Sequence, residues 1–206
     1  MTYSKERELA KKLLKIKAVF LRPNDPFIWA SGIKSPIYCD NRLILTAPDV
    51  RDFVEKYLAD VIQEYFNEAD VIMGTSTAGI AHAAIIGHIL KKPMGYVRSS
   101  SKDHGRNNKI EGKLEKGDKV VVVEDLISTG GSSIDVVKTL RDFGADVLGV
   151  VSIFSYGTKK ADEIFSGENC KKISICSANT LIDVAVETDY INKEEGEYIL
   201  KWLKEI

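Results

Sequence analysis

Apolar residues recur with two different periods along this chain. In residues 4 to 18, Leu9, Leu13 and Ile16 fall at the spacing of one helix face among lysines, which predicts a first helix. LRPNDP breaks that pattern. FIWASGIKSPIYCDNRLIL then sets aromatic and β-branched residues around SG and SP turns, predicting an irregular hairpin that forms a small appendage. From Thr46 the helical period returns: Thr46 is placed to cap, Pro48 falls in the first turn, and Val50, Phe53, Val54, Tyr57, Leu58, Val61, Ile62 and Tyr65 make one stripe.

Strand and helix alternate after that. DVIM reads as a short strand, GTSTAG as a turn, the small residues up to Leu90 as a helix, and PMGYVR as a strand. SSSKDHGRNNKIEG carries no apolar period. KVVVV, a helix from Ser132 to Phe143 with Gly144 at its C-cap, and DVLGVVSIF restore strand, helix and strand. A short helix near Ala161 to Phe165, the strand KISIC and helices from Thr180 and Lys193 complete the order. Apolar strands joined through helices predict an α/β fold with a mostly parallel central sheet flanked by helices. Ligands bind such sheets at the carboxyl ends of strands, so the loops after Met73, Arg98 and Val123 are where chemistry is expected.

Composition narrows this picture. The 206 residues, 44% of them hydrophobic, fit one domain with a core of its own, and no repeat or linker divides it. With 29 basic against 30 acidic residues the formal charge is -1, so nothing global draws nucleic acid or anionic lipid, and an anion must be caught locally. Cys39, Cys170 and Cys176 are odd in number and lack CxxC spacing, as expected of reduced thiols. MTYSKERELAKKLLK has neither the apolar stretch of a signal peptide nor that of a membrane span, so a cytoplasmic location is expected.

EDLISTGGS is the most informative segment. Backbone amides of a Gly-rich turn entering a helix make a phosphate cradle. Neither a Walker A loop, which needs GxxxxGK, nor a GxGxxG fingerprint occurs, and the turn alone could be a capped strand-to-helix connection with Glu124 and Asp125 in water. The acids fit a vicinal diol, whose hydroxyls donate to carboxylates, while a 5-phosphate on the same sugar would reach the cradle. Together these features suit a ribose 5-phosphate.

Two adjacent acids, an apolar pair and a Ser/Thr/Gly turn resemble the phosphoribosyl diphosphate signature of the type I phosphoribosyltransferases. FIWASGIKSPIYCDNR and YVRSSSKDHGRNNKIEG, in order with EDLISTGGS, resemble segments of the orotate phosphoribosyltransferases over nearly the whole chain. The resemblance implies the type I fold over residues 1–206 as one domain, with residues 1–45 contributing to a small hood over the site. It implies that Glu124, Asp125, Leu126, Ile127, Ser128, Thr129, Gly130, Gly131 and Ser132 hold the ribose phosphate, the two acids on the 2- and 3-hydroxyls, with Ser128 also near orotate. Arg98, Lys102 and His104 would bind the diphosphate, the last two from a mobile loop that reaches a neighbouring subunit's site, and Thr75 and Ser76 lie in GTSTAG, the second diphosphate loop. Lys102, His104 and Asp125 are the implied catalytic residues, in a homodimer with shared sites. Magnesium would be held by Glu124 and Asp125, directly or through water, together with substrate oxygens.

The implied reaction joins orotate to 5-phospho-α-D-ribose 1-diphosphate, giving orotidine 5'-phosphate and diphosphate in pyrimidine synthesis. The chain departs from the enteric pattern at Ala30, at Ser99 and at Ser155-Tyr156, the last where that type carries an orotate-binding arginine. Lys34 or Arg42 is expected to supply the missing cation; both also suit surface ion pairs. Rival readings are a phosphoribosyltransferase for another base, a non-catalytic regulator on the same fold, and a diphosphokinase. Near-neutral charge and the polar loop weigh against the regulator, and no ATP motif supports the kinase.

Overall fold

A computed structural model describes residues 2–28, 34–99 and 109–205, apart from the side chains of Thr2 and Tyr3. In chain order its elements are α1 (Thr2–Lys15), β1 (Val19–Leu21), β2 (Phe27–Ile28), β3 (Lys34–Ser35), β4 (Ile37–Cys39), a 3-10 helix (Asn41–Thr46), α2 (Pro48–Tyr65), β5 (Val71–Thr75), α3 (Ala78–Leu90) and β6 (Met94–Val97). There follow β7 (Ile110–Glu111), β8 (Lys119–Ile127), α4 (Gly131–Phe143), β9 (Asp146–Ser155), α5 (Lys159–Gly167), β10 (Lys172–Ser177), α6 (Ala178–Glu187) and α7 (Lys193–Glu205). Among the described residues the main sheet runs β10-β9-β8-β5-β6-β7, parallel throughout except for β7, which is antiparallel to β6. The α/β expectation therefore holds.

The four valines of β8 show why the sheet is covered on both faces. Val121 and Val123 join the layer built from α1, α2, α3, α6 and α7, while Val120 and Val122 join the layer of α4 and α5. All four are fully buried, and removing each from water is worth about 1.5 to 3 kcal/mol. α1 packs through Leu9 and Leu13 into the first layer, beside α6 and β10. β1 pairs with β4 and β2 with β3 in two small antiparallel ladders outside the main sheet.

Several boundaries differ from expectation for local reasons. Helix α1 stops at Lys15, and Lys17 then takes a left-handed φ of 57°, so the predicted extension to residue 18 does not form. Thr46 does not cap α2: its hydroxyl donates to the Leu43 carbonyl within the 3-10 helix, and Ala47 occupies the N-cap with Pro48 following. Strand β8 does not end at Val123 but continues along β9 to Ile127, which carries both acids inside the strand. Likewise β5 extends to Thr75, and β6 stops at Val97, one residue short of Arg98.

Candidate active site

At the carboxyl end of the sheet, β8 feeds α4 through a turn that glycine makes possible. Gly130 has φ 82°, and a Cβ there would stand 2.9 Å from the Phe165 ring. Thr158, the N-cap of α5, holds the turn from outside by donating to the Ser128 carbonyl at 2.8 Å. Helix α4 begins without a side-chain cap, as does α3 behind Thr77, whereas α5 and α6 are capped by Thr158 and Ser177. First-turn amides have no partner inside a helix, so the uncapped starts of α3 and α4 retain donors and positive dipole ends suited to phosphate oxygens.

The two acids have different surroundings. Glu124 is 7% exposed. Its Oε1 accepts from Thr75 Oγ1 at 2.7 Å and from the Asp125 amide at 3.0 Å, while its Oε2 accepts from Ser133 Oγ at 3.0 Å. Burial, and then the adjacent Asp125, push its pKa up to about 7. Asp125 is only half-buried, and its backbone carbonyl accepts from Asn41 Nδ2 at 2.7 Å. Glu124 is thus held inside the protein by three donors, and Asp125 has the more open position.

GTSTAG packs directly on this strand end. A Cβ at Gly79 would lie 2.4 Å from the Val123 carbonyl and 2.5 Å from Thr75 Oγ1, and one at Gly74 would lie 2.8 Å from the Gly79 carbonyl. Only glycine permits that approach. Ser76 is tied to β6 through its hydroxyl, 2.6 Å from the Val97 carbonyl, and the Ser76–Thr77 peptide is cis.

Thr75, Ser76, Arg98 and Ser132, four of the residues singled out from sequence, line one cleft of about 280 Å³ with Val97, Ser99, Lys109, Asp135, Val136 and Thr139. Arg98 is half-buried, with one guanidinium nitrogen 3.6 Å from Glu111 Oε1 and no hydrogen bond to it among the described residues. A cation so placed suits an incoming anion. Asp135 and Thr139 carry no sequence signal for the site, because an outer helix face at spacing 135, 136, 139 gives none until α4 is docked. Lys102 and His104 lie outside the described residues.

Arg42 and Lys34, the two cations expected to meet orotate, do not line this cleft. Arg42 forms a bidentate pair with Asp40, Nε to Oδ1 at 2.6 Å and Nη2 to Oδ2 at 2.8 Å, and that carboxylate raises its pKa. The fields of Tyr38 and Asp125 reach it more weakly. Lys34 is exposed on β3. Tyr156 is buried edge-on against Phe154 and offers no charge in place of an arginine. The carboxylates of Glu124 and Asp125 are hard oxygen donors of the kind magnesium takes, and among the described residues no group of three or more His, Cys, Asp or Glu gathers. With both Glu124 oxygens already accepting hydrogen bonds, Asp125 is the more accessible oxygen donor for such an ion. No helix among the described residues is long and apolar enough to cross a membrane.

Comparison with known proteins agrees with this geometry. Residues 42–190 match the model of the phosphoribosyl transferase domain. An orotate phosphoribosyltransferase of Listeria innocua is 53% identical over 97% of this chain and 95% of that protein, and one of Staphylococcus saprophyticus is 54% identical over 95% and 97%. The crystal structure of orotate phosphoribosyltransferase from Aeropyrum pernix superposes with a TM-score of 0.77 at 30% identity, over 89% of this chain and 99% of that one. The chain belongs to the phosphoribosyl transferase family, among its orotate phosphoribosyltransferases.

Proposed function

We propose that the chain transfers the 5-phosphoribosyl group of 5-phospho-α-D-ribose 1-diphosphate to orotate, releasing diphosphate, as a cytoplasmic single-domain enzyme of pyrimidine synthesis. The reading is carried by one observation: strand β8 brings Glu124 and Asp125 to the same end of the sheet as the uncapped start of α4. A diol and a 5-phosphate on one ribose would meet those two features together.

Displacement at the anomeric carbon with inversion builds positive charge on the ribose and negative charge on the leaving diphosphate, so electrostatic placement carries the catalysis. Asp125 faces the diol and the growing ribose charge. Both Glu124 oxygens already accept hydrogen bonds, which leaves Asp125 to make the direct contact and Glu124 to act through water or by fixing its neighbour. Ser128 to Ser132 take the 5-phosphate on backbone amides and hydroxyls. Arg98, with Lys102 and His104, neutralises the diphosphate, while Thr75 and Ser76 position the loop beneath it. Glu124 and Asp125 would hold magnesium, directly or through water, and the ion would supply further neutralisation of the anionic groups.

Arg42 or Lys34 pairs with the orotate carboxylate, and Ser128 lies near the base. The hood built from β1 to β4 covers this end, and two copies of the chain share sites through the loop that carries Lys102 and His104. Loss of orotate absorbance on adding phosphoribosyl diphosphate and magnesium tests the reading, with uracil and hypoxanthine as control bases. Turnover of a control base with orotate inert would overturn the base assignment, and inertness of all three would overturn the activity.

A further inference from the structure

The edge of β8 that faces β5 loses its strand partner just where the acids begin. The β5 ladder ends at Gly74 opposite Val123, whereas β8 continues along β9 as far as Ile127 opposite Ser155. The Val123 carbonyl points toward β5, with Thr75 Oγ1 at 3.4 Å. Carbonyls two residues apart on a strand face the same edge, so the Asp125 carbonyl faces the side that β5 has left. Asn41 fills that position, with Nδ2 2.7 Å from the Asp125 carbonyl oxygen.

Asn41 is itself held in place. Its segment is pinned to the β1–β4 ladder, where the Asp40 amide donates to the Ala18 carbonyl at 2.7 Å. Asp40 Oδ1 also accepts from the Arg42 amide at 3.2 Å, closing the turn around Asn41. Asn41 is 1% exposed, and its Oδ1 is buried with no hydrogen-bond partner among the described residues. An asparagine that satisfies one end of its amide and strands the other offers little net stability, since the buried, unpaired Oδ1 offsets what the donor gives the Asp125 carbonyl. Its value lies in where it holds the strand.

We infer that Asn41 is a positioning residue for phosphoribosyl transfer: its amide fixes the Asp125 backbone, and through it the Asp125 carboxylate, against the segment that carries Arg42. This inference rests on the proposed role of Asp125 at the ribose diol. It makes the Asp40-Asn41-Arg42 turn the link that sets the distance between the base side and the sugar side of the site. A small displacement of a charge-facing carboxylate weakens contacts that tighten in the transition state more than those already made to bound substrate, so turnover should fall while apparent affinity changes little.

The experiment compares Asn41→Leu and Asn41→Asp with the parent in kcat, in KM for both substrates, and in Tm. Both variants remove the amide donor; aspartate keeps the original volume, whereas leucine keeps the branching at Cγ with more bulk. They differ in stability: leucine removes a buried polar group, whereas aspartate buries a carboxylate beside a carbonyl. We expect kcat to fall about tenfold in both, the rate equivalent of losing one hydrogen bond. KM for phosphoribosyl diphosphate should stay within about threefold. The Tm of Asn41→Leu should fall only slightly, because shedding the stranded Oδ1 offsets the Asp125 carbonyl left without its donor. Parent-level kcat in Asn41→Leu, or a loss of kcat that follows Tm across the two variants, would overturn the inference. If one variant does not fold, the other still decides between full and reduced turnover. Asp125→Asn separates the two layers of the argument: if it is inactive while Asn41→Leu turns over normally, only this inference fails, and if it is fully active the proposed ribose site fails with it.

Discussion

Replacing Glu124 by glutamine should make the metal-free protein more stable at neutral and alkaline pH while lowering its turnover. The folded protein keeps this carboxyl protonated up to about 7, because burial and the neighbouring Asp125 oppose its charge, whereas the usual value is 4.5. Between those pH values the folded state binds more protons than the unfolded state, so the group's contribution falls as pH rises through the window and levels off above it. At 1.36 kcal/mol per pH unit, the gap sets a ceiling of about 3 kcal/mol on the stability recovered by a neutral replacement. Glutamine keeps an oxygen for Thr75 Oγ1 and the Asp125 amide, and Ser133 Oγ can rotate to accept from the new amide group.

Urea unfolding of both proteins in chelator, at several pH values from 4.5 to 8.5, measures the difference. It should start near zero at the acid end, grow through the window and level off above about 7, with the variant the more stable protein. A difference that is flat with pH, or a parent more stable at pH 8.5, would refute the argument that burial rather than pairing governs this carboxyl. Loss of turnover beside the gain would mark Glu124 as a group kept for function at the expense of stability.

Other outcomes follow from the same geometry. Gly79→Ala should cost about 1 to 3 kcal/mol, because its Cβ would press on the Val123 carbonyl and Thr75 Oγ1, and thermal unfolding together with diphosphate affinity reads the displacement of the loop. Arg42→Ala and Lys34→Ala, assayed separately, should show in one of them a rise in the orotate KM of about tenfold or more with the phosphoribosyl diphosphate KM unchanged; no change in either would remove both from the base site. Lys102→Ala should lower kcat by about 10² to 10³, and mixing it with an inactive Asp125→Asn chain should restore activity in heterodimers if the lysine acts across subunits. His82→Ala should cost about 1 to 3 kcal/mol by leaving the buried Glu55 oxygen without its partner at 2.5 Å, whereas a joint apolar replacement of both should be near neutral in chemical unfolding.

The order of elements was legible because buried parallel strands carry apolar runs and glycines mark where helices begin or end; β9, α7 and the Gly144 cap fall close to where those signals put them. Strand β7 was not legible: only two residues long, it exists through pairing with Tyr96 and Val97 of β6 and has no apolar run of its own. Two consecutive acids read as the end of a strand, yet β8 continues through them because β9 supplies the ladder and protein donors meet Glu124. In the site, EDLISTGGS and GTSTAG announce themselves through glycine and hydroxyl content. The contact of Asn41 with Asp125 spans 84 residues of sequence and leaves no local pattern. His82 is buried, and its partner Glu55 is set by how α2 meets α3, which no spacing encodes.

The distribution of poorly satisfied polar groups follows from the same division of labour. Two apolar layers cover the sheet, and the valines of β8 anchor its centre, so the fold can tolerate local penalties at one end. Glu124 with its raised pKa, the stranded Oδ1 of Asn41 and the guanidinium nitrogen of Arg98 all belong to segments at the carboxyl end of the strands. A fold selected for stability alone would fill those positions with apolar or fully paired groups. Glu55 and His82 are the exception, but they join α2 to α3, the helix that begins within GTSTAG at Ala78. That pair fixes the helix behind the diphosphate loop much as Asn41 fixes the strand behind the ribose acids. In both places a buried polar contact between distant segments sets the position of a backbone, and the backbone sets the chemistry.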